Sequence, residues 1–379
     1  MAEAVFCYES CLHGRGLRTG VSAPHMIYLR DVSFRTPPLD RLAGIQLTEQ
    51  AGNSRAAGCI QVRTHEDLMR LFVRTVAFLF LLSMAAWCMP LGTNARAVIP
   101  SDIQQIISVD YRALRSSDTA MALKAQVLPQ SLKQFEEALK SVGVDTDRDV
   151  DQLTFASYRT PKQGVKVVGI AQGLFPVKTF YKRMNLRKIK AAKYHSSFTY
   201  PMSSGMEMTF LDDNTLLFGD HSALTGALDV RDGYSSGLDS NTQMAGMIPS
   251  VDSGPVWSIL DQQGTQNMLR SALGDASRLA DYDTIKKRLL ASQYVMNFSN
   301  GVNFDLDVLT ADSMTAATLS SLLKAGVMYK KMNATPVEKM AMDSLTVNSD
   351  SSNLQLHFKT DDKKFQSLMH SELFAAVSK

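Results

Sequence analysis

Cysteine is nearly absent from this chain and badly distributed for structural use. Of the 379 residues only four are cysteine. Cys7, Cys11 and Cys59 precede Met69, and Cys88 sits in an apolar run, so no thiol occurs from Val98 onward. Disulfides, thiolate catalysis and cysteine-ligated zinc are therefore excluded downstream of that point. Lysine is missing before Lys124. A charge surplus is missing too. The formal net charge is +3, but residues 98–379 hold 30 basic and 30 acidic side chains, so the surplus belongs to the N-terminal segment. A neutral domain lacks the basic footprint that nucleic acid requires, and nucleic acid is excluded as a partner. Residues 98–379 contain no phosphate loop, no dinucleotide fingerprint and no H-E-x-x-H. Asp212-Asp213-Asn214 with Asp220 does not make the D-x-D-x-D-G loop of an EF-hand. No cofactor or metal is expected.

What is present begins with an export pattern in an unusual place. Met69-Arg70 with Arg74 reads as a basic n-region and residues 76–89 as an apolar h-region. Pro90-Leu91-Gly92 then reads as a breaker and Ala95-Arg96-Ala97 as a cleavage motif, which makes residues 69–97 a signal peptide and Val98 the mature start. Residues 1–68, with seven Arg and no Lys, read as a disordered or spurious leader ahead of a true start at Met69. The alternative is a cytoplasmic tail before a membrane anchor at about Leu71 to Leu91. The uncharged run 75–94 reaches the ~20 residues of a span only by including Pro90, Gly92 and Thr93. Cys88 follows Trp87, where a lipid-modified cysteine wants a small neighbour, which argues against a lipoprotein. The expected location is periplasmic or secreted, with membrane contact only through residues 69–97 if they are uncleaved.

The remaining chain, roughly 280 residues, can bury a full core without staples. Residues 104–109 read as a strand, followed by a helix that Asp118 caps and a second that Ser131 and Gln134 open as a capping box and Gly143 ends. From Asp151 the hydrophobic period falls from 3.6 to 2, giving strands near 153–158 and 165–171. A helix from Pro176 follows, with strands over 193–200, 207–211 and 215–218 and a helix over 221–230. Residues 231–255, rich in Gly, Ser, Asp and Asn, read as a linker, with a strand over 256–260 and a helical stretch over 267–290 beyond it.

The same order then recurs. Strands 292–298 and 302–309 flank Asn300-Gly301, the strongest hairpin signal in the chain. Asp312 caps a long helix to about Met332, strands 345–348 and 354–359 follow, and a helix runs over 361–374. The hairpins of the two halves lie about 140 residues apart. The expected fold is α+β, as two tandem ββαββα-like repeats over 98–250 and 251–379. They form antiparallel sheets, or one continuous curved sheet, backed by helices.

Four features invite chemical readings, each with a plainer rival. Gly233-Tyr234-Ser235-Ser236-Gly237 matches the G-x-S-x-G of a serine-hydrolase elbow. A helix rather than a strand precedes it, however, and His357 or His370 would have to serve as base. Asp305 and Asp307 share one strand face and could act as paired carboxylates, although alternation with Phe304 and Leu306 is what any solvated sheet face shows. Met202, Met206 and Met208 with His195 could bind Cu(I), but core filling by methionine is the simpler reading. Lys178, Lys182, Arg183, Arg187, Lys188, Lys190 and Lys193 put seven cations into 16 residues with no acid among them. They suit an anionic partner, against the plainer reading as the solvated side of an amphipathic helix.

The chain also resembles a group of uncharacterised exported bacterial proteins. The likeness is carried by Pro100-Ser101-Asp102, Val109-Asp110, Leu114-Arg115-Ser116, Asp149-Val150-Asp151, the G-x-A-x-G-x-F form of residues 169–175, and residues 211–220. It covers about residues 98–233 and implies the fold and export but no activity or residue role. The combined expectation is a non-enzymatic protein of the cell envelope that binds a ligand, an envelope component or an anionic surface. The alternatives are an envelope hydrolase using Ser235 or a carboxylate pair, and a single-pass anchored protein.

Overall fold

The computed structural model describes residues 90–127, 130–160, 164–202, 205–273 and 282–371. The leader, the apolar run 76–89 with its n-region, and the last residues of the expected C-terminal helix lie outside them. Among the described residues no helix is long and apolar enough to cross a membrane.

The first half runs α1 (Thr93–Arg96), β1 (Ile103–Asp110), α2 (Tyr111–Arg115), α3 (Asp118–Val127), α4 (Gln130–Val142) and α5 (Thr146–Asp149). The hairpin β2 (Val150–Thr160) and β3 (Gly164–Gly173) leads to α6 (Val177–Leu186). Then come β4 (Ala192–Tyr194), β5 (Ser197–Pro201), β6 (Met206–Phe210), β7 (Thr215–Asp220) and α7 (His221–Arg231). A helix α8 (Thr242–Val251) bridges to the second half: β8 (Val256–Leu260), α9 (Gln262–Leu273), α10 (Tyr282–Lys286), β9 (Leu289–Asn297) and β10 (Val302–Thr310). It closes with α11 (Ser313–Met332), α12 (Pro336–Asp343), β11 (Leu345–Asp350), β12 (Asn353–Thr360) and α13 (Asp362–Met369).

The fold is α+β, and of the two sheet arrangements the single continuous one is found. Among the described residues twelve strands form one antiparallel sheet ordered β11-β12-β10-β9-β8-β1-β2-β3-β7-β6-β5-β4. Read outward from the central β1/β8 pair, the first five strands of each arm have the same connectivity, and the first arm adds β5 and β4 at its edge beyond β6. The first strand is followed by a hairpin, and the last two of the five enter with the outer one formed first. The two leading strands β1 and β8 pair directly, Ile106 opposite Ile259 and Ile107 opposite Ser258. The repeat is therefore one strand longer than the sequence pattern shows, and its extra strand joins the halves.

Register defines two faces. Ile107, Phe155, Gly169, Phe218, Met208 and Tyr200 are successive partners across the first arm. Ser258, Tyr294, Leu306, Leu356 and Val347 carry the same face across the second. This face is covered along its length, by α4 and α6 in the first half and by α9, α11 and α13 in the second. The opposite face carries Leu217, Ile170 and Trp257 over the first arm and centre. It turns polar at β9 and β10, where the row through Ile259 continues as Gln293, Asp307, Gln355 and Asn348. Residues 91–99, α7 and α8 roof the apolar part as far as β9, where Ser250 of α8 donates to Gln293 at 2.9 Å, and no described helix covers the polar rows of β10 and β12.

Four expectations need correction. Residues 231–255 are not a linker: Asn241 caps α8, which buries Met244, Met247, Ile248 and Val251, a 3.6 period hidden by the surrounding Gly, Ser and Asp. The boundary placed near Ser250 falls inside this helix. The helical stretch 267–290 begins earlier, at Gln262, and Leu289 and Leu290 already belong to β9. Residues 193–200 are not one strand. His195 takes φ 50°, and the chain folds there into the β4–β5 hairpin. Pro336 does not merely follow a helix end. It opens α12, with a full capping box between Thr335 and Glu338. Other signals hold: Asn300 and Gly301 both take positive φ, 58° and 94°, as a tight hairpin demands, and Asp312 caps α11.

The segment expected to end in signal cleavage is part of the fold. Leu91, Ala95, Val98 and Ile99 are buried in the roofed core. Asn94 Nδ2 donates to Asp212 Oδ2 at 2.7 Å, and Arg96 pairs with Asp239. A chain starting at Val98 lacks four of these six groups.

Candidate functional site

The cation cluster is set out by helix α6. Val177, Phe180 and Met184 recur at helical spacing and are buried. Phe180 makes edge-on ring contacts with Tyr200 and Phe210, at 5.3 and 5.0 Å between centroids. With that stripe turned inward, Lys178, Lys182 and Leu186 at i, i+4 and i+8 are forced outward. The helix ends as Lys188 takes φ 56° and Ile189 N–H donates to the Met184 carbonyl at 3.1 Å. Lys188, Ile189 and Lys190 then carry the chain to the edge hairpin, where Lys193 lies opposite Phe198.

All seven cations are exposed. Among the described residues none of them enters an ion pair. Two have an identifiable structural partner. Arg187 donates to the Ser141 carbonyl at 2.9 Å and to Ser141 Oγ at 3.2 Å, at the negative end of the α4 dipole. The Arg183 guanidinium lies against Gly143, so close that a Cβ there would come within 2.8 Å of Nη1. The five lysines face solvent. Between them lie Leu186, 73 % exposed, and Phe198, 54 % exposed. Asn185, Lys188, Ile189, Lys190, Ala191 and Tyr200 line an open depression of about 450 Å³.

The other candidate groups gather differently. Ser235 follows α7 in a loop whose backbone N–H donates to the Asp229 carbonyl at 3.2 Å. His195 stacks on the neighbouring Tyr234 at 4.6 Å, but its Nε2 faces Asp229 Oδ1 at 3.0 Å. Among the described residues no histidine is hydrogen-bonded to Ser235. His357 is on β12 and His370 ends α13. Tyr194 also donates to Asp229, at 2.8 Å. Burial, followed by that hydrogen bond, pushes the Tyr194 hydroxyl up to about 12.

Met208 is fully buried, with Met202 and Met206 packed beside it on the helix-covered face. His195 is engaged elsewhere, so the soft-metal set does not converge. The Asp305 and Asp307 pair does gain a histidine that local sequence could not supply. Register places His357 opposite Asp305, with Nδ1 2.5 Å from Oδ1, and Gln293 donates to Asp307 at 3.4 Å. The cross-strand pairing of β10 with β12 is the signal that would have found it. Both His357 and Asp305 are about half exposed. Among the described residues no group of three or more His, Cys, Asp and Glu side chains could hold a metal.

Comparison with known proteins finds only distant structural likenesses. No protein-family model matches, and no curated protein matches. Similar solved structures include two crystal forms of TP0453 from Treponema pallidum. Form I is 10 % identical over 77 % of this chain and 98 % of its own, with a TM-score of 0.40. Form III is 9 % identical over 74 % and 97 %, also at 0.40.

Proposed function

We propose that this is an exported, non-enzymatic protein that binds a phosphate-bearing surface of the cell envelope through α6 and the β4–β5 edge. One observation carries the reading: five solvent-facing lysines, without ion pairs among the described residues, surround exposed Leu186 and Phe198 on one edge of a domain whose formal net charge is zero. An ordinary solvated helix face intersperses both signs. Here no acid occurs between Lys178 and Lys193. Each lysine near an anionic bilayer is worth about 1 kcal/mol, so four replacements remove about three orders of magnitude in partitioning.

The test is co-sedimentation with phosphatidylglycerol vesicles across a salt series. The native protein is expected to bind and to be released as salt screens the contact. Lys178→Gln, Lys182→Gln, Lys188→Gln and Lys190→Gln combined should abolish binding while leaving the thermal midpoint unchanged, since all four side chains are exposed. Equal binding by that variant, or no binding by the native chain, overturns the reading.

A further inference from the structure

The helix that corresponds to α6 in the second half presents a different outward surface. Both follow the hairpin of their half, and both pack on the same face of the one sheet, as the register shows. Helix α11 turns Thr315, Ala316, Leu319 and Leu322 inward. On the opposite side, where a surface helix ordinarily carries charge, the C-terminal half presents Ala325, Met328, Tyr329 and Met332, at three, four and seven residues from Ala325, while nearer the N-terminus that side carries Met314, Thr318 and Ser321. Met314, Met328, Tyr329 and Met332 are each 65 % exposed or more.

The chemistry beside this stripe selects its occupant. The twenty residues of α11 contain no Asp or Glu. Lys324 and Lys331 border the stripe along one margin, and Lys330 adds a third cation near its C-terminal end. Lys331 pairs with Asp343 of α12. Lys324 and Lys330 are exposed and have no ion pair among the described residues. An apolar stripe bordered by lysines, on a helix that carries no acid of its own, suits a bilayer interface, with methionines in the acyl boundary and ammonium groups at the phosphates. With no acid on the helix, nothing on it repels an anionic headgroup layer, and Lys324 and Lys330 are left to meet the phosphates.

We propose that α11 is the apolar anchor of a bilayer contact, lying in the headgroup boundary with Met328, Tyr329 and Met332 inserted. The proposal rests on the reading of the α6 lysines in that it names the same class of partner, a phosphate-bearing bilayer, and adds an apolar seat on the second half.

The experiment separates the two. A Tyr329→Trp variant of the full chain, tagged with histidines at its C-terminus, is tethered to phosphatidylcholine vesicles through a nickel-chelating lipid, so that attachment does not depend on the α6 lysines. Lipids brominated near the headgroup end of the acyl chains should quench the new tryptophan roughly twofold after subtraction of the signal from Trp87 and Trp257. Adding Met328→Glu and Met332→Glu should remove that quenching. A tryptophan placed instead at Lys182 should remain unquenched. Failure of the tryptophan at 329 to quench on tethered protein overturns the anchor, whatever the α6 variants do. So does a lipid-free, concentration-dependent dimer that Met328→Glu and Met332→Glu dissolve, which would make the stripe a contact between copies. Conversely, quenching at 329 with no salt-sensitive vesicle binding would keep the anchor and discard the α6 reading.

Discussion

The two halves share a strand order but not a layer structure. After its last strand the first half sends α7 onto the face opposite α6. There Ala223, Leu224, Ala227 and Leu228 close over Ile170 and Leu217. The second half sends α13 the other way, so that Phe365 and Met369 join the core under α11. The strands beneath explain the choice. A helix needs an apolar floor, and the first arm offers Ala156, Val168 and Ile170, whereas the second offers Asp305, Asp307, Gln355 and His357 on the equivalent face. Duplicated connectivity thus leaves the layers open; the residue chemistry of one strand face decides which side the closing helix takes.

If that is right, removing the roof and altering the bare face should differ sharply. Leu224→Ala, at a fully buried position, should cost about 2–5 kcal/mol in urea unfolding. His357→Gln, on the exposed counterpart face, should stay within about 0.5 kcal/mol. Equal losses would break the comparison.

The roof has a second part, residues 91–99. A chain beginning at Val98 loses buried Leu91 and Ala95, at about 2–4 kcal/mol. Its thermal midpoint should fall well below that of a chain beginning at Pro90. Identical midpoints would show that the segment merely rests on the core.

The smallest contrast lies in the caps. Asp220 and Asp361 begin the corresponding helices α7 and α13. Burial pushes the Asp220 carboxyl up, but hydrogen bonds from Ser222 Oγ, the Ala223 N–H and Lys166 outweigh it and hold the group below its ordinary value. A lowered folded-state value means stability that is present above the ordinary carboxylate range and lost as pH falls through the lowered one. Asp220→Ala should cost about 1 kcal/mol at neutral pH and flatten the acid limb of stability. Asp361 is lowered chiefly by its hydrogen bond to Lys364 at the surface. Asp361→Ala should show the same sign with a smaller midpoint shift, and a larger shift than at Asp220 would reverse the ranking of the two layers.

The elements that were legible in the sequence are those whose signal is local. Asn300-Gly301 specifies its turn because both residues tolerate positive φ. Asp312 specifies the start of α11, because its side chain satisfies the Thr315 N–H. The seven cations were legible as a cluster, since they lie within 16 residues. Helix α8 was not, because Gly246, Pro249 and Ser250 mask the period that buries Met244 and Ile248. Nor was the His357 and Asp305 pair, whose members are 52 residues apart.

By itself, then, the sequence determined the elements with strong local signals, the α+β class, the repeat, and the neutral, cysteine-free character of residues 98–379. Each of these follows from spacing or composition within short windows. Tertiary structure alone decided that the two copies share one sheet through β1 and β8, that residues 91–99 belong to the core, and that one face is roofed only halfway. It also placed lysines and methionines outward on corresponding helices. These outcomes depend on which strands pair and which apolar surfaces meet, and such contacts join residues far apart in the chain, beyond the reach of any local period.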